Sequence, residues 1–251
     1  MVEEIKEKLK QVETDNDITI LYACESGSRA WGFESPDSDF DVRFIYARNV
    51  NDYLSISERR DVIEVPVNDV LDIGGWDIRK AFQLFLKSNP PLYEWLQSPV
   101  VYKSDPSFVT ELSSLVPEYF SLRAGCHHYL SMARNTFVND LQAEQVKLKK
   151  YFYALRPALA ALWIVEKKIV PPMQFSELRT NIKDEQWQLT VDRLLESKKA
   201  ADEQTMISRV PSIQQWIEKT LLEVKEKSTA LPAIKHNTAV LDKIFRKYIQ
   251  V

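Results

Sequence analysis

Ser26-Gly27-Ser28-Arg29-Ala30-Trp31-Gly32-Phe33-Glu34-Ser35-Pro36-Asp37-Ser38-Asp39-Phe40-Asp41-Val42-Arg43-Phe44-Ile45-Tyr46 is the stretch on which the fold turns. The apolar run before it, Ile18 to Ala23, reads as a buried strand. That strand ends at Gly27-Ser28, a turn able to open a helix whose unpaired N–H groups suit a phosphate. After a spacer of ten residues, Asp39-Phe40-Asp41 opens a second strand, expected over about 39–47. Strand side chains alternate between faces, so Asp39, Asp41 and Arg43 point the same way. Two hard oxygen ligands beside a phosphate cradle suit Mg²⁺ and a nucleoside triphosphate.

Outward from this stretch, residues 3–13 alternate Glu and Lys around Ile5, Leu9 and Val12, which predicts an amphipathic helix. Residues 48–60 are polar and read as loop. Asp61–Val67 and Val70–Ile73 read as further strands. From Ile78 the period becomes helical and runs to the stop at Asn89-Pro90. A short helix is expected at 91–97, then an edge strand or linker at 99–102. Beyond Asp105 no strand is expected. Helices are predicted near 105–115, 117–138, 140–168, 184–197, 211–227 and 236–249. The expected fold class is therefore α+β, a mixed sheet with flanking helices over 1–104 followed by an all-helical part over 105–251.

The bulk numbers exclude several classes. The 251 residues carry a formal net charge of −3, so no global polyanion-binding signature exists and an RNA partner needs a local basic patch. Apolar content of 45% is ordinary for a globular chain with a sizeable core. No apolar run reaches the ~20 residues of a membrane span. The Glu- and Lys-rich start does not read as a signal peptide. Two cysteines, Cys24 and Cys126, read as free buried thiols in a reducing cytoplasm rather than as a disulfide or metal site.

Gly-Ser, about ten residues and then Asp-x-Asp resembles the signature of the DNA polymerase beta nucleotidyltransferase superfamily. Trp31-Gly32-Phe33 followed by Ser35-Pro36-Asp37-Ser38-Asp39-Phe40-Asp41-Val42-Arg43 is similar to the bacterial and phage group that includes the RNA-repair-pathway polymerase-beta-like proteins. Asp72-Ile73 with Trp76-Asp77-Ile78-Arg79-Lys80, Lys87-Ser88-Asn89-Pro90 with Glu94-Trp95-Leu96, and Lys149 to Pro157 extend the likeness over roughly 15–175. The resemblance implies a polymerase-beta-like nucleotidyltransferase domain at the N-terminus. It implies transfer of a nucleoside monophosphate from an NTP, ATP first among them, to an acceptor hydroxyl, with release of pyrophosphate. The acceptor is left open between an RNA end, a protein and a small molecule. By the same resemblance Gly27 and Ser28 hold the triphosphate, and Asp39 and Asp41 hold two Mg²⁺ (or Mn²⁺) ions.

Two-metal phosphoryl chemistry calls for a third carboxylate from a neighbouring strand. The candidates are Glu64, Asp69, Asp72 and Asp77. Asp72 is preferred because it ends the run Val70-Leu71 and matches the acidic position of the resembling group. Asp77, just before Ile78-Arg79-Lys80, reads better as a helix N-cap. Arg29 and Arg43 lie inside the motif, and Arg43 either meets a phosphate or holds the carboxylates as an ion pair. Trp31 suits packing better than base stacking. Lys149, Tyr153 and Arg156 recur at i, i+4 and i+7, so one helical face either meets the nucleotide or is a solvated basic face with a half-buried Tyr. Arg123 and His128 have the Arg-x4-His spacing of certain helical ribonuclease domains, a two-residue likeness that ordinary helix packing also explains. Besides a transferase, a non-catalytic nucleotide-binding or antitoxin-type module and such a ribonuclease are the competing classes.

Overall fold

The computed structural model describes residues 1–65, 70–232, 234 and 237–249. Along the chain run α1 (Val2–Asn16), β1 (Ile18–Glu25), α2 (Gly27–Trp31), β2 (Phe40–Arg48), α3 (Val50–Tyr53), β3 (Val62–Glu64) and β4 (Leu71–Asp77). Then come α4 (Ile78–Leu86), α5 (Pro90–Trp95), β5 (Val101–Ser104), α6 (Pro106–Tyr119), α7 (Leu122–Asp140), β6 (Gln145–Lys147) and α8 (Leu148–Lys167). The chain closes with α9 (Phe175–Leu178), α10 (Glu185–Ala200), β7 (Met206–Ser208), α11 (Pro211–Ser228) and α12 (Ala239–Tyr248). Two compact units result: Met1–Ala30 with Asp39–Tyr119 and Lys235–Val251, and Trp31–Ser38 with Phe120–Ile234. The strand-rich part is thus joined by α6 and by α12, and the helical part by the eight residues before Asp39.

In the first unit five strands form one mixed sheet in the order β3-β4-β2-β1-β5. β2 and β4 are parallel, and the other neighbours are antiparallel. Ile5, Leu9 and Val12, one stripe of α1, are buried in one cluster with Ile20 and Ala23 of β1, Val42, Phe44 and Tyr46 of β2, and Leu71 and Ile73 of β4. Each large apolar side chain of that cluster removed from water contributes about 1.5–3 kcal/mol before the entropy of ordering is set against it. The alternation that sends Val42, Phe44 and Tyr46 into this cluster sends Asp41 and Arg43 to the opposite face. Gly75 lets the Phe44 ring lie against the neighbouring strand, since a Cβ there would meet the ring at 2.1 Å.

In the second unit α7 and α8 pack along each other, and α8 is buried over most of its surface, Pro157 included. No helix among the described residues is long and apolar enough to cross a membrane. Cys24 and Cys126 are free and buried, as their apolar surroundings in the sequence suggest.

The structure departs from the expected elements at several places. Residues 50–53 form a short helix inside the expected loop, started by the Asn49 side chain accepting the Asn51 N–H. β4 runs on to Asp77 because parallel pairing with β2 continues through Tyr46. α6 continues through Pro117, which falls in its last turn, two residues before the helix ends. The helix expected from 140 starts at Leu148, because 145–147 pair instead with 206–208. These two short strands correct the expectation that nothing beyond Asp105 is extended. β3 ends at Glu64, and residues 66 and 67 of the expected strand lie outside the described residues, as does Asp69.

Candidate functional site

The sheet edge where β2 begins gathers most of the sequence-derived residues. The Cα partner of Asp41 across the parallel β2–β4 pair is Asp72. Two carboxylates facing each other on adjacent strands repel. Arg43 answers that repulsion. Its Nη2 donates to Asp41 Oδ1 at 3.1 Å and to Asp72 Oδ2 at 2.6 Å, and its Nη1 donates to the Asp72 carbonyl at 3.1 Å. Of the two readings open in the sequence for Arg43, the ion pair is the one present. All three side chains remain partly open to solvent.

Gly27 lies directly against this cluster. Its φ of +61° is left-handed, and a Cβ on it would stand 1.9 Å from Asp41 Oδ2. Only a residue without a side chain lets the turn approach the carboxylate this closely. The Ser26 N–H donates to the Asp41 carbonyl at 2.8 Å, fastening the same turn to the entry of β2. Ser28 is buried in α2, and Arg29 Nε donates to the Asp39 carbonyl at 3.1 Å while its guanidinium lies 3.9 Å over the Phe40 ring. Asp39 itself is exposed, one residue ahead of β2.

Sequence reasoning missed Glu25. It is only 1% exposed, accepts the Asp41 N–H at 2.8 Å, and accepts the Tyr102 hydroxyl. Burial pushes its carboxyl up, against the hydrogen bonds from Tyr102 and Asp41. The available signal was a carboxylate closing an otherwise apolar strand just before the Gly-Ser turn.

The other third-carboxylate candidates lie elsewhere. Asp77 caps α4, accepting the Arg79 N–H at 2.8 Å, as its position in the sequence suggests. Glu64 is exposed on β3, next to β4 on the side away from β2. Among the described residues no three His, Cys, Asp or Glu side chains gather at metal-ligand spacing. The donor chemistry nevertheless fits a hard divalent cation, because Asp41 and Asp72 offer only anionic oxygens to one positive group, now the Arg43 guanidinium.

The remaining candidates lie in the second unit, on α8. Lys149 Nζ pairs with Glu203 Oε2 at 3.0 Å. Glu203 also accepts from Ser35 and Ser38 (2.7 and 2.8 Å) and from Lys198 (2.9 Å), a lysine only 2% exposed. Burial alone would raise the Glu203 carboxyl, but the hydrogen bonds from Ser35, Lys198, Lys149 and Ser38 together hold it down at about 2. The Asp37 carboxylate completes the clamp by accepting the Glu203 N–H. Arg156 is buried, donates to the Met173 carbonyl at 2.9 and 3.1 Å, and lies 4.5 Å over the Trp31 ring. Tyr153 meets Trp31 edge-on at 6.1 Å. This face of α8 is therefore engaged rather than solvated. Trp31, Tyr153 and Arg156 line a cavity of about 300 Å³ with Met132, Asn135 and Thr136 of α7. Arg123 and His128 both sit on α7, five positions and thus about 140° apart around its axis, so they do not share a face.

Comparison with known proteins gives relatives and a family for the chain. YcgL, an uncharacterized protein of Bacillus subtilis (strain 168), is 42% identical over 252 residues, covering 100% of this chain and 97% of its own length. A nucleotidyltransferase-like protein from Exiguobacterium sibiricum 255-15 aligns over 97% of this chain and 80% of its own, at 12% identity and a TM-score of 0.31. The model of the RNA repair pathway DNA polymerase beta family matches residues 1–247, and the chain belongs to that family.

Proposed function

We propose that the protein is a metal-dependent nucleotidyltransferase that moves a nucleoside monophosphate from an NTP, ATP first, to an acceptor hydroxyl and releases pyrophosphate. The observation that carries this reading is Asp41 facing Asp72 across a parallel strand pair, with Gly27 packed against the carboxylate. Asp39, Asp41 and Asp72 are the residues assigned to Mg²⁺ or Mn²⁺, which when bound supplies charge neutralisation at the phosphates. Gly27 and Ser28 cradle the triphosphate at the start of α2, and Arg29 holds α2 to the entry of β2. Arg43 keeps the two carboxylates aligned, and a bound divalent ion would supply the positive charge that Arg43 now gives them. Glu25 fixes the backbone of Asp41 through its N–H. Most of the rate then comes from positioning and charge stabilisation rather than covalent chemistry. Within the helical unit alone, Tyr153 and Trp31 line a cavity, and Arg156 supports the Trp31 ring. Lys149, proposed from the sequence as a nucleotide contact, is paired with Glu203 within the same unit.

The acceptor class favoured by the family description is an RNA end. A second reading is a nucleotide-binding module that transfers nothing, and Arg43 holding both carboxylates is the observation in its favour. Incubation with α-labelled NTPs, Mg²⁺ or Mn²⁺ and total cellular RNA separates the two. Label on RNA with the wild type but not with Asp41→Asn supports the transferase. Metal-dependent NTP binding without any transfer to RNA, protein or small molecules supports the module.

A further inference from the structure

The opposite end of the same sheet holds a second cavity that the transferase reading leaves unused. β2 carries Asp41 near its start and Arg48 at its end, roughly 23 Å further along the strand. There the carboxyl ends of the parallel strands β2 and β4, the start of α4 and the loop around Arg60 enclose about 650 Å³. Crevices outside the carboxyl ends of parallel strands are recurrent ligand sites.

Five cations line this cavity, and two of them are spoken for: Arg59 pairs with Asp52 at 3.2 Å and Lys80 with Asp61 at 3.0 Å. Among the described residues the other three, Arg48, Arg60 and Arg79, make no ion pair. Arg48 Nε is buried without a hydrogen-bond partner, its terminal nitrogens reach backbone carbonyls at 3.4 and 3.5 Å, and its guanidinium lies 5.2 Å from the centre of the Tyr46 ring. The Arg79 guanidinium is held over the rings of Tyr53 (5.0 Å) and Phe245 (5.4 Å), which fixes its position without neutralising it. Two further carboxylates line the cavity. Glu58 is exposed. Asp77 is turned inward, accepting from the Tyr53 hydroxyl and the Arg79 N–H, and burial raises it.

We propose that this cavity binds a ligand carrying an oligophosphate group through Arg48, Arg60 and Arg79. Guanidinium forks match phosphoryl oxygens two at a time, and three of them on separate elements call for an anion with several charged centres. The volume admits a nucleotide-sized ligand rather than one small anion. Asp77 already satisfies the α4 N-terminus, so the side chains and not the helix amides make the contacts. The inference does not rest on the transferase reading.

The test is calorimetric titration of the full chain with sodium tripolyphosphate, at fixed ionic strength and with EDTA present. The wild type is expected to bind, and Arg60→Gln and Arg79→Gln to weaken binding at least fivefold each while unfolding at the wild-type temperature. Both side chains are exposed, so the fold should tolerate these changes. In a Gly27→Ala/Ser28→Ala background, which takes away the turn proposed to hold the triphosphate, the Arg60→Gln and Arg79→Gln losses should persist. ATP or a 5′-triphosphorylated RNA binding more tightly than tripolyphosphate identifies the source as a nucleotide or an RNA end, and equal affinities identify free oligophosphate. The proposal is overturned if the wild type does not bind, if the Arg60→Gln/Arg79→Gln protein binds unchanged, or if only the Gly27/Ser28 variant loses binding.

Discussion

Replacing Gly27 by Ala tests the contact between the Gly-Ser turn and Asp41. The new Cβ would stand 1.9 Å from Asp41 Oδ2, whereas real Cβ contacts essentially never fall under 3.0 Å. The carboxylate must therefore move by at least about 1 Å, since it is the flexible end of a side chain and the backbone is not. The move disturbs the Asp41–Arg43 contact, while the shorter Arg43–Asp72 contact keeps the guanidinium in place. The stability cost is that of a left-handed alanine, about 1–2 kcal/mol. The cost to function is larger, because metal-ligand distances tolerate only ~0.2 Å and a 1 Å misplacement is worth about a hundredfold. Thermal unfolding should show a small loss of stability, and calorimetry should show Mn²⁺-dependent NTP binding weakened by about that factor. Adding Gly27→Ala to an Asp41→Ala protein removes the clash with the carboxylate and should leave the backbone strain and a tight 3.2 Å contact to the residue 41 Cβ. A folded Gly27→Ala protein that binds Mn²⁺ and NTP like the wild type would refute the reasoning.

Further expectations follow from other contacts. Arg43→Ala releases both carboxylates, so bare Mn²⁺ should bind about tenfold more tightly by calorimetry; unchanged affinity would mean that Arg43 does not compete with the metal. Glu203 is depressed from 4.5 to about 2, so its contribution to stability is present above the ordinary carboxylate range and is lost as pH falls from about 4.5 toward 2. Glu203→Gln should cost ~2 kcal/mol at pH 7, after discounting for its partial exposure, and should flatten the acid limb of the stability curve. Burial pushes the thiols of Cys24 and Cys126 up to about 12 and about 11. Neither should react with a thiol reagent at pH 8 until the chain unfolds, and fast labelling of the native protein would contradict their burial.

Local spacing carried the legible part of this molecule. The Gly27-Ser28 turn and the Asp41, Arg43 pair could be read because turn chemistry and the two-residue period of a strand act over a few neighbours, whereas Asp39 lies one residue ahead of β2. The α1 stripe of Ile5, Leu9 and Val12 was legible for the same reason. Asp72 could be nominated but its register could not, since pairing with Asp41 joins strands separated by a long connection. Glu25 was hidden because a strand-end carboxylate looks the same whether it faces water or accepts a backbone N–H. The clamp on Ser35 and Ser38 comes from Glu203 and Lys198, more than 160 positions away, and no period links them. β6 and β7 are three residues each, too short for a periodic signal, and exist only because they pair with each other.

The most direct test follows the two ends of the nucleotide in one reaction. The protein, Mg²⁺ or Mn²⁺ and cellular RNA are incubated with ATP labelled at the α-phosphate or at the γ-phosphate. The account predicts that α-label joins the RNA, that γ-label leaves as pyrophosphate, and that both events vanish with Asp41→Asn. Transfer of the γ-label, or α-label transfer that survives Asp41→Asn, would contradict it.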